Sequence, residues 1–167
     1  MSEPRLPFDP IERAGELWDE HFGDATAMRL ATSVMRVQQL MIGALDAALK
    51  PFDLTFARYE VLVLLTFSRT GALPLSKIGE RLMVHPTSIT NAIDRLEAHG
   101  FVERVPDAND RRRTFAALTP AGRRVVTEAT QVLTGIDFAV TGLSADDQKE
   151  TYELLRSLRA AAGDFAG

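Results

Sequence analysis

Three features of the chain predict a mainly α fold with one small β-hairpin. The first is the order of segments between Leu75 and Leu118: short helix, tight turn at Val84-His85, second helix, strand, long charged loop, strand. The second is the presence of helical segments with long apolar stripes on both sides of that run. The third is the charge, acidic overall but basic in the middle. Helix, turn, helix and a hairpin with a basic tip is the order of a winged helix-turn-helix, a module that reads duplex DNA. Here it is flanked by N- and C-terminal dimerisation helices. The expected division is 1–50 for the N-terminal extension and dimerisation helices, 51–118 for the winged DNA-binding region, and 119–167 for the C-terminal dimerisation helices.

Each element has a local cause. Asp9-Pro10 supplies an N-cap and a proline at the first helical position, opening a helix from Ile11 to about His21. A longer helix runs from about Ala25 to Leu49 and stops before Pro51. Its apolar positions Leu30, Val34, Val37, Leu40, Met41, Ala44, Leu45 and Ala48 keep helical spacing, so one face is expected to be buried. Thr55 caps a third helix to about Phe67, with Tyr59, Leu62, Val63 and Thr66 as its stripe, and Gly71 breaks the chain after it. The winged run itself predicts helices over Ser76 to Met83 and from Pro86, then strands over Phe101 to Val105 and Thr114 to Leu118. Gly100 suits the turn out of the second helix. Thr119-Pro120 opens a helix striped by Val125, Val126, Ala129, Val132, Leu133 and Ile136. Ser144 with Asp147 is a capping box for the last helix, which carries Leu154, Leu155 and Leu158. Residues from Ala160 onward are expected to fray.

Composition excludes several functions. The 167 residues are 46% hydrophobic, enough for a real core. With no cysteine, disulfides, thiolate metal sites and thiol redox sensing are ruled out. The start, Met1 to Arg5, lacks signal-peptide character. The longest aliphatic run, Val61 to Leu65, is far short of the roughly 20 residues of a membrane span. A soluble, cytoplasmic protein without membrane contact is expected. The net charge of −4 divides unevenly: residues 76–124 hold nine Lys/Arg against six Asp/Glu, and the segments on either side are acidic. Phosphate attraction is local, being screened beyond about 8–10 Å at physiological salt. A basic module between acidic helices therefore suits DNA binding.

At about 100° per residue, Ile89, Ala92, Ile93 and Leu96 form the inner face of the second helix. Thr87, Asn91, Asp94 and Ala98 lie opposite, flanked by Ser88, Thr90 and Arg95. Short hydroxyls, an amide and a guanidinium fit a major groove, where asparagine pairs bidentately with adenine. Thr87, Ser88, Thr90, Asn91 and Arg95 are the expected contacts, with Ser76 and Lys77 of the preceding helix. The hairpin tip adds Asp110, Arg111, Arg112 and Arg113. Three adjacent arginines repel one another and contribute nothing to folding, whereas a narrow minor groove attracts inserted arginine. Arg112 is expected to insert, oriented by Asp110. The apolar stripes outside the module exceed what it can cover, and a second copy on a two-fold axis covers them most simply.

Leu75 to Leu82, Val84 to Asn91, Asp94 to Glu97, Gly100-Phe101-Val102, Asp107 to Arg112 and Leu118 to Arg123 together resemble the MarR family of bacterial transcriptional regulators. The resemblance spans roughly residues 28–160. It implies a homodimer built from terminal helices around a winged helix, a palindromic operator in double-stranded DNA, and a repressor released by a small aromatic or phenolic effector. Trp18, His21, Arg36 and Tyr59 are the candidate effector residues; a core or anchoring role is the competing reading for Trp18 and Tyr59. The extra N-terminal helix with Trp18 is similar to one in the urate-responsive branch, as are Glu60 and Arg104. Ala92 stands where that branch has an arginine. His21, His85 and His99 lack ligand spacing, so no metal or other cofactor is expected. No nucleophile with an activating base and no phosphate-cradling glycine loop appears, so an enzyme is not expected. The competing reading is a winged helix used for protein contacts without an operator.

Overall fold

The computed structural model describes residues 6–110 and 113–165. Among the described residues seven α-helices and three strands follow one another as α1 (Pro10–His21), α2 (Thr26–Leu49), α3 (Phe56–Phe67), β1 (Ala72–Pro74), α4 (Leu75–Leu82), α5 (Pro86–Ala98), β2 (Val102–Pro106), β3 (Thr114–Leu118), α6 (Pro120–Gly135) and α7 (Ala145–Ala161). The chain divides into two compact units, one up to Gly43 and one from Ala44.

In the first unit, Asp9 caps α1 by accepting from the Ile11 N–H at 2.8 Å. Arg29 of α2 ties the two helices together, bonding Asp19 at 3.0 Å and Glu12 at 3.3 Å. Asp19 also accepts from the Ala25 N–H, which stabilises the turn between the helices. The stripe expected on α2 is real in spacing but lies open: Leu30, Val34, Val37 and Leu40 are all exposed. The expected buried face is met only toward the C-terminal end of α2, where Leu45 is buried and Met41 and Ala48 are half-buried.

The core of the second unit is built on α3, which packs against α4, α5, α6 and β3. Leu45, Leu49, Leu62, Leu65, Ile78, Ile93, Leu96 and Leu133 are buried, each contributing about 1.5–3 kcal/mol of burial energy. The buried face of α3 is broader than its predicted stripe. Val61 and Leu65 are buried besides Tyr59 and Leu62, whereas Thr66 is exposed, because neighbours surround the helix on several sides. Asp46 holds the start of α3 by accepting from the Phe56 N–H at 2.7 Å.

The sheet is antiparallel with order β1-β3-β2. Strand β1 was not expected. It is three residues long, pairs Ala72 with Ala117 and Pro74 with Phe115, and is too short to show alternation. Beyond α6 the chain makes a tight turn in which Asp137, Phe138 and Ala139 all have positive φ. Ser144 then caps α7 as its capping box predicts, accepting from the Asp147 N–H at 3.2 Å. The expected fraying from Ala160 is corrected over 160–165, where α7 continues to Ala161, Asp164 pairs with Arg159, and the guanidinium groups of Arg156 and Arg159 lie over the Phe165 ring; residues 166 and 167 lie outside the described residues. No helix among the described residues is long and apolar enough to cross a membrane.

Candidate nucleic-acid interface

The helix-turn-helix begins with α4, which ends where Met83 takes a left-handed conformation, φ 55°. The Val84 N–H closes the turn onto the Gly79 carbonyl. Pro86 occupies the first position of α5, where its missing N–H costs nothing. Ile89, Ile93 and Leu96 are buried and Ala92 half-buried, so the inner face is the one its periodicity indicates. At the far end Gly100, φ 73°, lets the chain reverse. The Phe101 N–H bonds the Leu96 carbonyl and the Gly100 N–H bonds that of Glu97, a paired closure that satisfies the last turn.

The outer face of α5 is available to a ligand. Thr87, Ser88, Thr90, Asn91 and Arg95 are all exposed, as are Ser76 and Lys77 on α4. The side chains of Ser76, Ser88, Asn91 and Arg95 make no hydrogen bond or ion pair among the described residues. Thr90 bonds back to the Pro86 carbonyl, and Lys77 pairs with Glu80 at 2.7 Å. That hydrogen bond holds the Glu80 carboxyl below the usual carboxylate range.

Two residues shape this face that sequence reasoning did not assign to it. His85 is the N-cap of α5: its Nδ1 accepts from the Thr87 N–H at 3.2 Å. A histidine before Pro-Thr is a weak signal, because Ser, Thr, Asp and Asn dominate that position. Arg104, on β2, bridges to α5. Its guanidinium reaches Asp94 and Glu97 at 2.5 Å each, and its N–H donates to Glu97 at 3.0 Å. Burial works against the arginine's charge, but the two carboxylates outweigh it and raise the pKa above the ordinary value. Asp94, outward on the helix as the sequence indicates, is thus occupied. The signal for this clamp was present in the i, i+3 spacing of the two acids.

In the wing, the Asp107 N–H bonds the Arg113 carbonyl and the Arg113 N–H bonds the Asp110 carbonyl. The Arg113 guanidinium lies 3.7 Å from Asp107 and over the Phe115 ring. It therefore braces the root of the loop while remaining half-exposed. Asp110 is exposed. Arg111 and Arg112 lie outside the described residues. At the base of the wing, Thr119 donates to the Gly100 carbonyl at 2.7 Å and its Oγ1 caps α6 through the Gly122 N–H. Gly122 sits against the Phe101 carbonyl so closely that a methyl group there would overlap it.

The four candidate effector residues fall in different units, Trp18, His21 and Arg36 in the first and Tyr59 in the second. The Trp18 and His21 rings both meet Phe22, His21 also bonds the Leu17 carbonyl, and exposed Arg36 bonds Gln39. Tyr59 is 5% exposed, in the core, with its hydroxyl 2.9 Å from Thr130 Oγ1. Glu60, beside it on α3, has its carboxyl pushed up by desolvation, while Arg104 is committed to α5. No cluster of three or more His, Asp or Glu able to hold a metal occurs among the described residues.

Comparison with known proteins agrees with this arrangement. The MarR family model matches residues 56–114, from the start of α3 to the return strand of the wing. The chain is similar to the crystal structure of Sco5413, a MarR family transcriptional regulator from Streptomyces coelicolor. Identity is 52%, TM-score 0.78, and the match covers 84% of this chain and 98% of that one. It also resembles a cysteine-to-serine mutant of Escherichia coli MarR complexed with operator DNA, at 26% identity and TM-score 0.71, over 85% and 97% of the two chains. An HTH-type transcriptional regulator of Bacillus subtilis, YhbI, is 29% identical over 72% of this chain and 73% of its own length.

Proposed function

The chain belongs to the MarR family of transcriptional regulators, and on that premise we propose that it is a cytoplasmic homodimeric repressor that binds a palindromic operator and releases it when a small aromatic or phenolic compound binds. The observation that carries the DNA reading is the outer face of α5. Asn91 and Arg95 are exposed and uncommitted there, while the two acids of the same helix are paired with Arg104. Asn91 reads a base edge, Arg95 contacts phosphate, and Arg112 enters the minor groove beside Asp110, with Ser76, Lys77, Thr87, Ser88, Thr90, Arg111 and Arg113 completing the contact set. The E. coli relative, solved on its operator, supports a duplex as the partner.

The dimer rests on exposed apolar residues in each unit. Leu30, Val37 and Leu40 on α2, and Leu154, Leu155 and Leu158 on α7, all stand open in the single chain. Such surface on an otherwise well-packed protein calls for a partner, and a second copy supplies it with two-fold symmetry. The effector reading rests on the exposed aromatic group Trp18, His21 and Phe22.

Mobility shift against the DNA flanking its own gene, followed by binding-site selection, tests the proposal. A selected inverted repeat is expected. Asn91→Ala should lose preference at one base of each half-site, by roughly 1–3 kcal/mol. Arg95→Ala should weaken all sequences about equally and make the salt dependence shallower by about one phosphate contact. No preference for any duplex would overturn the DNA reading, and light scattering that finds a monomer at micromolar concentration would overturn the dimer.

A further inference from the structure

Building on the DNA-binding reading, we infer that His85 is a positioning residue for base readout, setting which hydrogen-bonding sense Thr87 offers to the groove. Its Nδ1 lies 3.2 Å from the Thr87 main-chain N and 3.1 Å from the Thr87 Oγ1. An imidazole nitrogen accepts only when it carries no proton, so the cap fixes the tautomer with hydrogen on Nε2. In that state the main-chain N–H and the hydroxyl of Thr87 share one lone pair. The hydroxyl hydrogen is turned toward His85, and the lone pairs of Oγ1 face outward as acceptors.

Protonation of His85 reverses the arrangement. Nδ1 now bears hydrogen and cannot accept from the Thr87 N–H, so the first turn of α5 loses its cap. The His85 Nδ1–H instead donates to Thr87 Oγ1, which releases the Thr87 hydroxyl hydrogen toward the groove. The imidazolium also brings positive charge to the positive end of the helix, an unfavourable placement without DNA. Against a phosphate that charge is attractive, so protonation exchanges base discrimination for general affinity. Histidine is the side chain suited to this exchange, since its charge changes between pH 5 and 8.

The groove in which His85 lies is lined on α4 by Ser76 and Glu80, and on α5 by Thr90. Glu80 is the charged group there, paired with Lys77. Its carboxyl is held below the ordinary range by the Lys77 hydrogen bond, so it stays ionised at both pH values compared below. His99, at the other end of α5, stacks on Phe101, and its charge would favour the helix terminus, so it needs its own control.

The experiment compares operator and scrambled duplex by fluorescence anisotropy at pH 7.5 and 5.5, for the wild-type protein, His85→Asn and His99→Gln. Asparagine caps well and does not titrate. The wild-type operator-to-scrambled ratio should fall roughly fivefold on acidification, the factor carried by one hydrogen bond of about 1 kcal/mol, and scrambled affinity should rise. His85→Asn should keep a constant ratio, and His99→Gln should behave as wild type. A wild-type ratio that does not change, or an equal fall in His85→Asn, overturns the inference. Nitrogen-15 NMR of the free protein at pH 7.5 decides the cap without DNA: hydrogen on Nε2 is required, and hydrogen on Nδ1 refutes it. If no duplex is preferred at pH 7.5, the DNA reading and the readout role fall together, whatever the tautomer.

Discussion

Replacing Arg104 by alanine separates two functions of one side chain. The guanidinium is 27% exposed and its partners Asp94 and Glu97 are 55% and 40% exposed, so both pairs are partly screened by solvent. Exposed pairs contribute about 0.2–1 kcal/mol each, and the Glu97 bond to the Arg104 main chain survives the substitution. A stability loss on the order of 1–2 kcal/mol is expected from urea unfolding. The effect on DNA has another origin, because the substitution removes one positive charge and leaves Asp94 and Glu97 without their shared partner. At about 8 Å from a phosphate, one unit of charge is worth roughly 0.5 kcal/mol in water. The operator complex should therefore weaken by about twofold, and more at low salt. A variant that also carries Asp94→Asn and Glu97→Gln should regain affinity without regaining stability. The reasoning fails if Arg104→Ala binds the operator as tightly as wild type, or if the triple variant stays as weak as the single one.

Two other perturbations test the scaffold. Gly122→Ala should improve helix propensity by up to about 1 kcal/mol, yet overlap with the Phe101 carbonyl should make the net effect destabilising by roughly 1–3 kcal/mol; any gain in the urea midpoint would contradict the packing. Glu60 has a folded-state pKa above the ordinary value because of desolvation, so its contribution to stability is present at acid pH and lost as pH rises through the folded value. Glu60→Gln should therefore raise the melting temperature at pH 7 relative to pH 4, and an equal shift at both would discount the desolvation.

What the sequence disclosed depended on whether local chemistry or long-range packing decided the outcome. Caps were legible, because Asp9, Thr55, Thr119 and Ser144 act on the N–H groups just after them. So were the inner face of α5 and the Gly100 turn. Strand β1 was hidden because its pairing comes from β3, more than 40 residues away, and three residues carry no period of their own. The breadth of the α3 core was hidden for the same reason: neighbours on several sides bury positions that a single stripe omits. The α2 stripe was legible as apolar, but its spacing alone did not tell the buried end at Leu45 from the exposed stretch from Leu30 to Leu40. Tyr59 and Arg104 were visible as residue types, yet their partners Thr130 and Asp94 depend on how helices and strands pack.

The balance of charge on the winged module follows from the same pairings. Among the described residues, Glu80 is joined to Lys77, Asp94 and Glu97 to Arg104, and Asp107 to Arg113. A one-to-one pair such as Lys77–Glu80 or Asp107–Arg113 acts outward as a dipole, whose field falls faster than that of a single charge, while Arg104 cancels one of its two carboxylates. Arg81 and Arg95, by contrast, make no ion pair among the described residues and remain exposed, so they act as single charges. Within one Debye length, about 8 Å at physiological salt, a phosphate near such a cation meets its charge and little of the paired acids. An acidic protein can in this way present a cationic face to DNA. The charge that matters is the local unpaired one, and the net value of −4 governs solubility and long-range approach instead.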